Sequence, residues 1–392
     1  MVAATLLATI SRPVPVITTA TTVNQAIELF QHDTALQALP VMDQQHLAGI
    51  INRRELFFRH LAKPFARELF GRKPIATLLE GPPLVLAGEL EITDALNRLL
   101  LNDPQLENDC FGVSLADGSV AIATVADLMM AISRSQAALL ATLESMSSRI
   151  RSEVEMARQV QVALLPVTPL RHAGVSVAAG LVNSTEISGD FYDVFPLDEH
   201  RLGLLVADVT GHGVQAGLVT TAAKAGLQTL LDNGVRTPAL LLRGINRALM
   251  ATAGGSLLMT ALVAVLDRVT GTAVISSAGH PFPYRRQGDS GQWQLVALKP
   301  GFPLGFVDDA DYDETTIGFM PNDHLLLYSD GIQEAEDEQG VLFGEQQLLA
   351  TLQQAAGTPE QVRDTLLAAA RSFRGNDHFD DDVTLVVAQQ EE

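Results

Sequence analysis

Leu202-Gly203-Leu204-Leu205-Val206-Ala207-Asp208-Val209-Thr210-Gly211-His212-Gly213 is an apolar run that stops at an aspartate and then turns on two glycines. Three other stretches of the second half follow the same logic. They read Ser188-Gly189-Asp190-Phe191-Tyr192-Asp193, Tyr328-Ser329-Asp330-Gly331 and Asp381-Asp382-Val383-Thr384. The run Leu325 to Tyr328 leads nearly into Asp330, and Asp381 precedes the run Val383 to Ala388. Carboxylates at strand ends converge on one rim of a sheet, where like charges repel unless a cation sits between them. Hard oxygen ligands without a nearby Cys or His cluster suit magnesium or manganese better than zinc. Such a rim is the raw material of two-metal hydrolysis.

Around these motifs, from about Val175 onward, the pattern predicts mostly antiparallel strands and two pairs of helices. Strands are expected at Val175 to Leu181, Phe191 to Phe195, Arg201 to Ala207, Leu257 to Asp267 and Ala273 to Ser277. Others fall at Gln292 to Leu298, Asp323 to Ser329 and Val383 to Ala388. One helix pair is Gln215 to Leu231 with Pro238 to Ala251, the other Gly344 to Ala356 with Pro359 to Phe373. Thr237 opens the second of these helices, with Pro238 in its first turn. The turn Val269-Thr270-Gly271 joins two strands directly. Two packed sheets with helices on both outer faces is the most economical arrangement.

Upstream, the first third contains a degenerate repeat. Val23 to Ile27 opens a helix after an extended Val14 to Thr18, and Ile92 to Leu96 does so after Leu84 to Leu86. Each helix is followed by two strands and a short helix. The strands are Ala38 to Met42 with Leu47 to Ile51, then Phe111 to Leu115 with Val120 to Ala123. Two β-α-β-β-α units, neither able to bury its sheet face alone, are expected to pack together. This pattern resembles a tandem cystathionine-β-synthase (CBS) domain pair over about residues 8–135. In that family a Thr or Ser and an Asp three residues later contact the ribose of an adenine nucleotide. The resemblance carries that role onto Thr124 and Asp127; the first repeat has Asn52 and Glu55 there instead. Thr124 as a helix cap and Asp127 as a first-turn acid is the alternative reading.

Residues 136–166 form a helical linker without Gly, ended by Pro166. Leu139, Leu143, Met146, Ile150, Ala157, Val160 and Leu164 alternate spacings of four and three, with Glu153 in the slot between Ile150 and Ala157. That is a heptad seam, and it predicts a coiled-coil homodimer.

The 392 residues are enough for two or three domains. With 47% hydrophobic and 18% charged residues, large cores can form. The net charge of -20 argues against a nucleic-acid surface, which needs a basic face. A single cysteine, Cys110, cannot form an internal disulfide and suits a reducing cytoplasm. No apolar run approaches the roughly 20 residues of a membrane span, and no secretory signal or membrane partner is expected.

Six motifs in a fixed order carry a second resemblance. They are Ala157-Arg158-Gln159-Val160-Gln161 with Leu164-Leu165-Pro166, Ser188 to Asp193, Asp208 to Gly213, Ala278-Gly279-His280-Pro281, Tyr328 to Gly331 and Asp381 to Thr384. Together they resemble a metal-dependent (PPM, type 2C) protein serine/threonine phosphatase of the bacterial sporulation and sigma-regulator branch, with the catalytic domain at residues 167–390. The family's first motif opens on two glycines, so Ser188 is a departure. The resemblance implies an α+β protein whose αββα sandwich holds two Mn2+ or Mg2+ ions. Their ligands would be Asp190, Asp208, the backbone carbonyl of Val209, Asp330 and Asp381, with Asp208 bridging. The ions would lower the pKa of a water aimed in line at a phosphoserine or phosphothreonine. Asp193, Asp380 and Asp382 read as turn residues or as supports behind the ligands. His212 either protonates the leaving oxygen, organises metal waters or simply begins a helix. His280 is expected to fix a loop. Gly301-Phe302-Pro303-Leu304-Gly305 resembles the family's substrate-side loop, although turns explain its Gly and Pro equally well.

The substrate implied is a phosphorylated STAS-domain protein, an anti-sigma-factor antagonist, with the CBS pair as regulator. A catalytically silent docking module is the competing reading, and retention of all four aspartates argues against it. Nucleotide cyclisation, suggested by Ser-Gly-Asp-Phe-Tyr, fails because its turn needs an acid where Phe191 stands. Asp208→Asn is expected to lower turnover on the order of a thousandfold, because a bridging charge is lost. From sequence alone Asp382→Asn should matter much less. Manganese-dependent turnover of the two folded variants is the check.

Overall fold

The computed structural model of the chain describes residues 5–44, 46–211, 213–253, 257–288 and 291–392. It divides into two compact units, Met1–Ser148 and Arg149–Glu392.

In the first unit, β1 (Ile17–Thr18), α1 (Val23–His32), β2 (Ala38–Asp43) and β3 (His46–Asn52) form one repeat. Its helix α1 starts on a capping box in which Thr22 and Gln25 satisfy each other's backbone N–H. Val23, Ala26, Ile27 and Phe30 then recur on one face and are buried. After β3 come α2 (Arg53–Glu55), a π-helical turn (Leu56–His60) and α3 (Ala66–Phe70), an insertion that the repeat pattern did not show. The second repeat is β4 (Val85–Ala87), α4 (Ile92–Asn102), β5 (Cys110–Ser114) and β6 (Val120–Thr124). Each repeat makes a three-stranded sheet with one parallel and one antiparallel pair. The two cores meet through Ala38, Cys110 and Ile122, so each sheet covers the face that the other leaves bare.

The short helix expected after β6 and the linker are one element, α5 (Val125–Leu164). No glycine or proline interrupts it, so nothing stops the helix once Thr124 has capped it.

The second unit opens with β7 (Leu170–His172), β8 (Val175–Val182), β9 (Asp190–Pro196) and β10 (Arg201–Val209). Helices α6 (Val214–Asp232) and α7 (Pro238–Ala253) follow, then β11 (Met259–Asp267), β12 (Thr272–Ala278), β13 (Tyr284–Arg286) and β14 (Trp293–Leu295). The chain ends with β15 (Thr315–Gly318), β16 (His324–Tyr328), α8 (Gly344–Gln354), α9 (Pro359–Arg374) and β17 (Val383–Gln390). One sheet has the order β15-β12-β11-β10-β9 and the other β14-β13-β16-β17-β8-β7, all antiparallel. The inner faces interdigitate through Val177, Leu204, Val206, Leu262, Leu325 and Val386. Helices α6 and α7 cover the five-stranded sheet, with Leu227, Leu241 and Ile245 in that core. Helices α8 and α9 cover the six-stranded sheet through Leu348, Leu352, Val362 and Leu366. The result is the expected four-layer sandwich. Alternation along β10 decides it: one side faces the second sheet, the other faces α6 and α7.

Candidate metal centre

The C-terminal end of β10 meets the first residue of β9, and Asp208 pairs directly with Asp190 across the ladder. Two carboxylates at facing positions repel. Both strands are locked into that register by the apolar residues behind, so the repulsion cannot be relieved by slipping. Asp190 is 2% exposed. One of its oxygens accepts from Ser329 Oγ and from Thr384 Oγ1, each at 2.6 Å. These hydroxyls follow β16 and lie on β17, so the second sheet holds an aspartate of the first. The carboxyl's pKa is raised well above its usual range by burial and by Asp208, with Ser329 and Thr384 acting in the opposite sense.

Asp208 is pushed up to about 7, first by burial and then by Asp330, Asp381, Asp382 and Glu334. A cleft of about 760 Å³ is lined by Asp208, Val209, Glu334, Glu336, Asp380 and Asp381, among others, and no lysine or arginine lines it. Asp330 faces an adjoining cleft with His280, Tyr328, Gln333 and Glu345. The sandwich thus gathers Asp208 and Asp381 in one cleft, sets Asp330 beside it and Asp190 behind. These acids are not drawn into a single-ion cage: among the described residues, the triad with ligand atoms within 4.8 Å is Glu55, His60 and Glu80. Oxygen donors alone, spread along a rim where Asp208 raises Asp190 and is itself raised by Asp330 and Asp381, fit two hard divalent cations.

Asp382 turns out to be a clamp. One oxygen accepts from Ser184 N at 2.7 Å and Ser184 Oγ at 3.0 Å. The other accepts from Gly189 N at 2.6 Å and Ser188 Oγ at 2.8 Å. The Ser188 hydroxyl in turn accepts from Asp190 N at 3.0 Å. The serine that departs from the family's glycine therefore braces Asp190. Gln161 of α5 closes the same loop, donating to Ser188 O at 2.7 Å and accepting from Ser188 N at 3.1 Å. Gly189 allows the close approach, since a Cβ there would lie 2.7 Å from Gly211 O and 3.0 Å from Val209 O. That contact sets the Val209 carbonyl at the rim.

Asp193 forms a buried pair with Lys224, and Asp380 pairs with Arg374 at 2.7 Å. His280 is buried, bonded through Nδ1 to Thr260 Oγ1 at 2.8 Å, and burial lowers its pKa to about 4. It is neutral at pH 7 and fixes the turn after β12. His212 lies outside the described residues. In the first unit Thr124 Oγ1 bonds Asp127 at 2.8 Å and accepts its N–H at 2.9 Å, while Arg12 pairs with the other Asp127 oxygen. That is helix-cap geometry. One open cleft of this unit, about 420 Å³, is lined by Asn52 at the end of the first repeat, by Arg54 and Arg59 after it, and by Glu107, Asn108 and Asp109 of the second. Sequence reading missed Gln161, Ser188, Ser329, Thr384 and Glu334. Four of them sit inside or beside quoted motifs, and Glu334 is one turn past Asp330, whose carbonyl accepts its N–H at 2.9 Å.

A sandwich of two antiparallel sheets with helices outside and acids on one rim defines the PP2C class of domain. Residues 198–391 match the family described as Stage II sporulation protein E (SpoIIE), and residues 7–60 match the CBS domain. By these two matches the second unit is similar to SpoIIE-type domains and the first repeat to a CBS domain. Phosphoserine phosphatase RsbU of Bacillus subtilis (strain 168) is 30% identical over 202 residues, covering 51% of this chain and 59% of that protein. Phosphoserine phosphatase RsbP of the same organism is 29% identical over 189 residues, covering 47% and 46%. The chain thus spans about half the length of these relatives. Among solved structures the SiaA-PP2C domain of Pseudomonas aeruginosa superposes with a TM-score of 0.55 at 22% identity, over 63% of this chain and 99% of that domain. That likeness establishes the fold.

Two outcomes follow from this geometry. Asp382→Asn puts an NH2 group against either the Ser184 pair of donors or the Ser188–Gly189 pair, so a folded variant should lose at least about tenfold in turnover. The loss stays well below that expected for Asp208→Asn, in line with a residue that supports the rim from behind. The second outcome concerns pH. A raised carboxyl pKa means stability is full below the ordinary carboxylate range and is lost as pH rises toward about 7. In chelator the melting temperature of the wild type relative to Asp208→Asn should therefore fall between about pH 4 and pH 7. Added manganese should restore it more at pH 7.5 than at pH 5. A pH-independent difference would remove the electrostatic account of the rim.

Proposed function

We propose that the chain is a metal-dependent protein serine/threonine phosphatase acting on phosphoserine or phosphothreonine of a partner protein. The observation that carries this is the rim where Asp330 and Asp381 raise the proton affinity of Asp208 and of Glu334, beside a cleft that no lysine or arginine lines among the described residues. Two manganese or magnesium ions bound there would supply positive charge for the phosphoryl oxygens and an activated water. Asp190, Asp208, Asp330, Asp381 and the Val209 carbonyl are the proposed ligands. Ser329 and Thr384 hold Asp190 in one orientation, and Asp382 and Gln161 fix the loop that delivers it. No side-chain nucleophile is needed, and Cys110 lies in the other unit.

The domain limits 8–135, 136–166 and 167–390 are part of the proposal. So are a cytoplasmic setting and a STAS-domain phosphoprotein as substrate, supported by the resemblance to the sigma-regulator branch. The linker supports a homodimer: Leu139, Leu143, Met146, Ile150 and Val160 are each at least half exposed on α5. Glu153, in the same seam, is bonded to Arg149 at 2.9 Å and so is not a bare charge. An adenine nucleotide at the CBS pair would have to displace Arg12 from Asp127, or use the cleft beside Asn52 and Arg54. Regulation through α5 would reach the metal rim by way of Gln161.

The direct test is release of phosphate from an aryl phosphate and from a phosphoserine protein. Turnover should require manganese or magnesium, vanish in chelator and fall on the order of a thousandfold in Asp208→Asn. Equal turnover in chelator, or none with any divalent cation, would leave a docking module.

A further inference from the structure

One stretch of the first unit runs against the charge of the chain. Seven of the 26 lysines and arginines fall between Arg53 and Lys73, against two acids, Glu55 and Glu68, in a protein of net charge -20. This is the insertion between the two repeats, carrying the π-helical turn and α3. Some of its cations are used internally. Arg53 donates to the carbonyls of Asp33, Thr34 and Leu36, and Arg54 and Arg59 pair with acids. Lys63, Arg67 and Arg72 are exposed and have no acidic partner among the described residues.

Large apolar side chains stand out among them. Phe58 is 79% exposed, Phe65 76% and Leu69 64%. Phe65 begins α3 at φ 61, a region that bulky residues avoid, and no ring contact among the described residues accounts for it. The N–H of Leu69 donates to the Phe65 carbonyl at 3.1 Å, so the two side chains lie one turn apart on the same side. Scattered exposed leucines need no explanation, but aromatic tips interleaved with unpaired cations do.

We infer that this insertion docks the protein on an anionic lipid surface. Phe58, Phe65 and Leu69 enter the boundary between headgroups and acyl chains, and Lys63, Arg67 and Arg72 lie in the phosphate layer. The contact is peripheral, since no helix among the described residues is long and apolar enough to cross a membrane. Phe65 and Leu69 protrude and line none of the clefts described above, while Phe58, although 79% exposed, borders the cleft beside Asn52 and Arg54. An acidic protein would have to offer a matching pocket for each, whereas a fluid interface accepts them without fixed geometry. The acidic remainder of the chain is repelled by the same surface, which leaves this stretch to face it. The inference does not depend on the proposed phosphatase activity.

Flotation of the full chain with vesicles tests it. Binding is expected to phosphatidylcholine vesicles containing phosphatidylglycerol and not to phosphatidylcholine alone. It should weaken at least about tenfold between about 50 and 500 mM salt. Phe65→Ser with Leu69→Ser, and separately Lys63→Gln with Arg67→Gln and Arg72→Gln, should each reduce binding at least about tenfold. Because the substituted side chains are exposed, the melting temperature should stay at the wild-type value. No binding to anionic vesicles at low salt overturns the inference, as does binding that neither variant weakens. Loss of self-association in the charge variant, without vesicle binding by the wild type, would assign the surface to a second copy of the chain instead.

Discussion

Everything at the rim of the second unit depends on holding like charges together. Asp190 and Asp208 face each other across a ladder whose register is fixed by buried residues on both sides, including Val194, Leu204 and Val206. Slipping that register by one residue would exchange the β10 side chains packed against the second sheet with those packed against α6 and α7 and misfit both cores. The burial of the sandwich therefore imposes the repulsion, and only protonation or cations can relieve it. That unrelieved charge is what the proposed pair of divalent cations would offset.

The two sheets share the task of aiming the acids of the rim. Asp190 belongs to one sheet, yet its fixed oxygen is bonded to hydroxyls supplied by the other. Asp382, from the second sheet, grips the loop that leads into Asp190. Gly331 fits under the Asp382 carbonyl, where a Cβ would come within 2.1 Å. Hydroxyls and backbone amides are suitable braces here because they add no charge to an already crowded rim.

The helix α5 matters for a different reason. It begins at the cap made by Thr124 and Asp127 and ends one turn after Gln161, which grips both backbone groups of Ser188. A single uninterrupted element thus leads from the second CBS-like repeat to the loop before a proposed metal ligand. Rotation or shift of its last turn would be felt at Ser188 first and at Asp190 next, because the Ser188 hydroxyl bonds the Asp190 N–H.

Apolar runs ending in aspartates, a heptad-spaced helix and a doubled β-α-β-β-α pattern were all legible along the chain. Periodicity and punctuation act over a few residues, and the side chains that carry them are near each other in sequence. The four aspartates belonged to this class, because each closes or opens a strand. What the sequence could not show was which residues support them. Ser329 and Thr384 reach Asp190 across 139 and 194 positions, and Asp382 reaches Gly189 across 193. Asp382 could be read as a turn residue or as a support behind its neighbour Asp381, without saying which, and Ser188 read as a harmless departure. Their roles exist only once two sheets are stacked and the strand ends brought to one rim. Local pattern determined the strands, the helices and the acids; the packing of sheet on sheet decided which neighbours would hold those acids in place, because hydrogen bonds between distant segments leave no periodic trace.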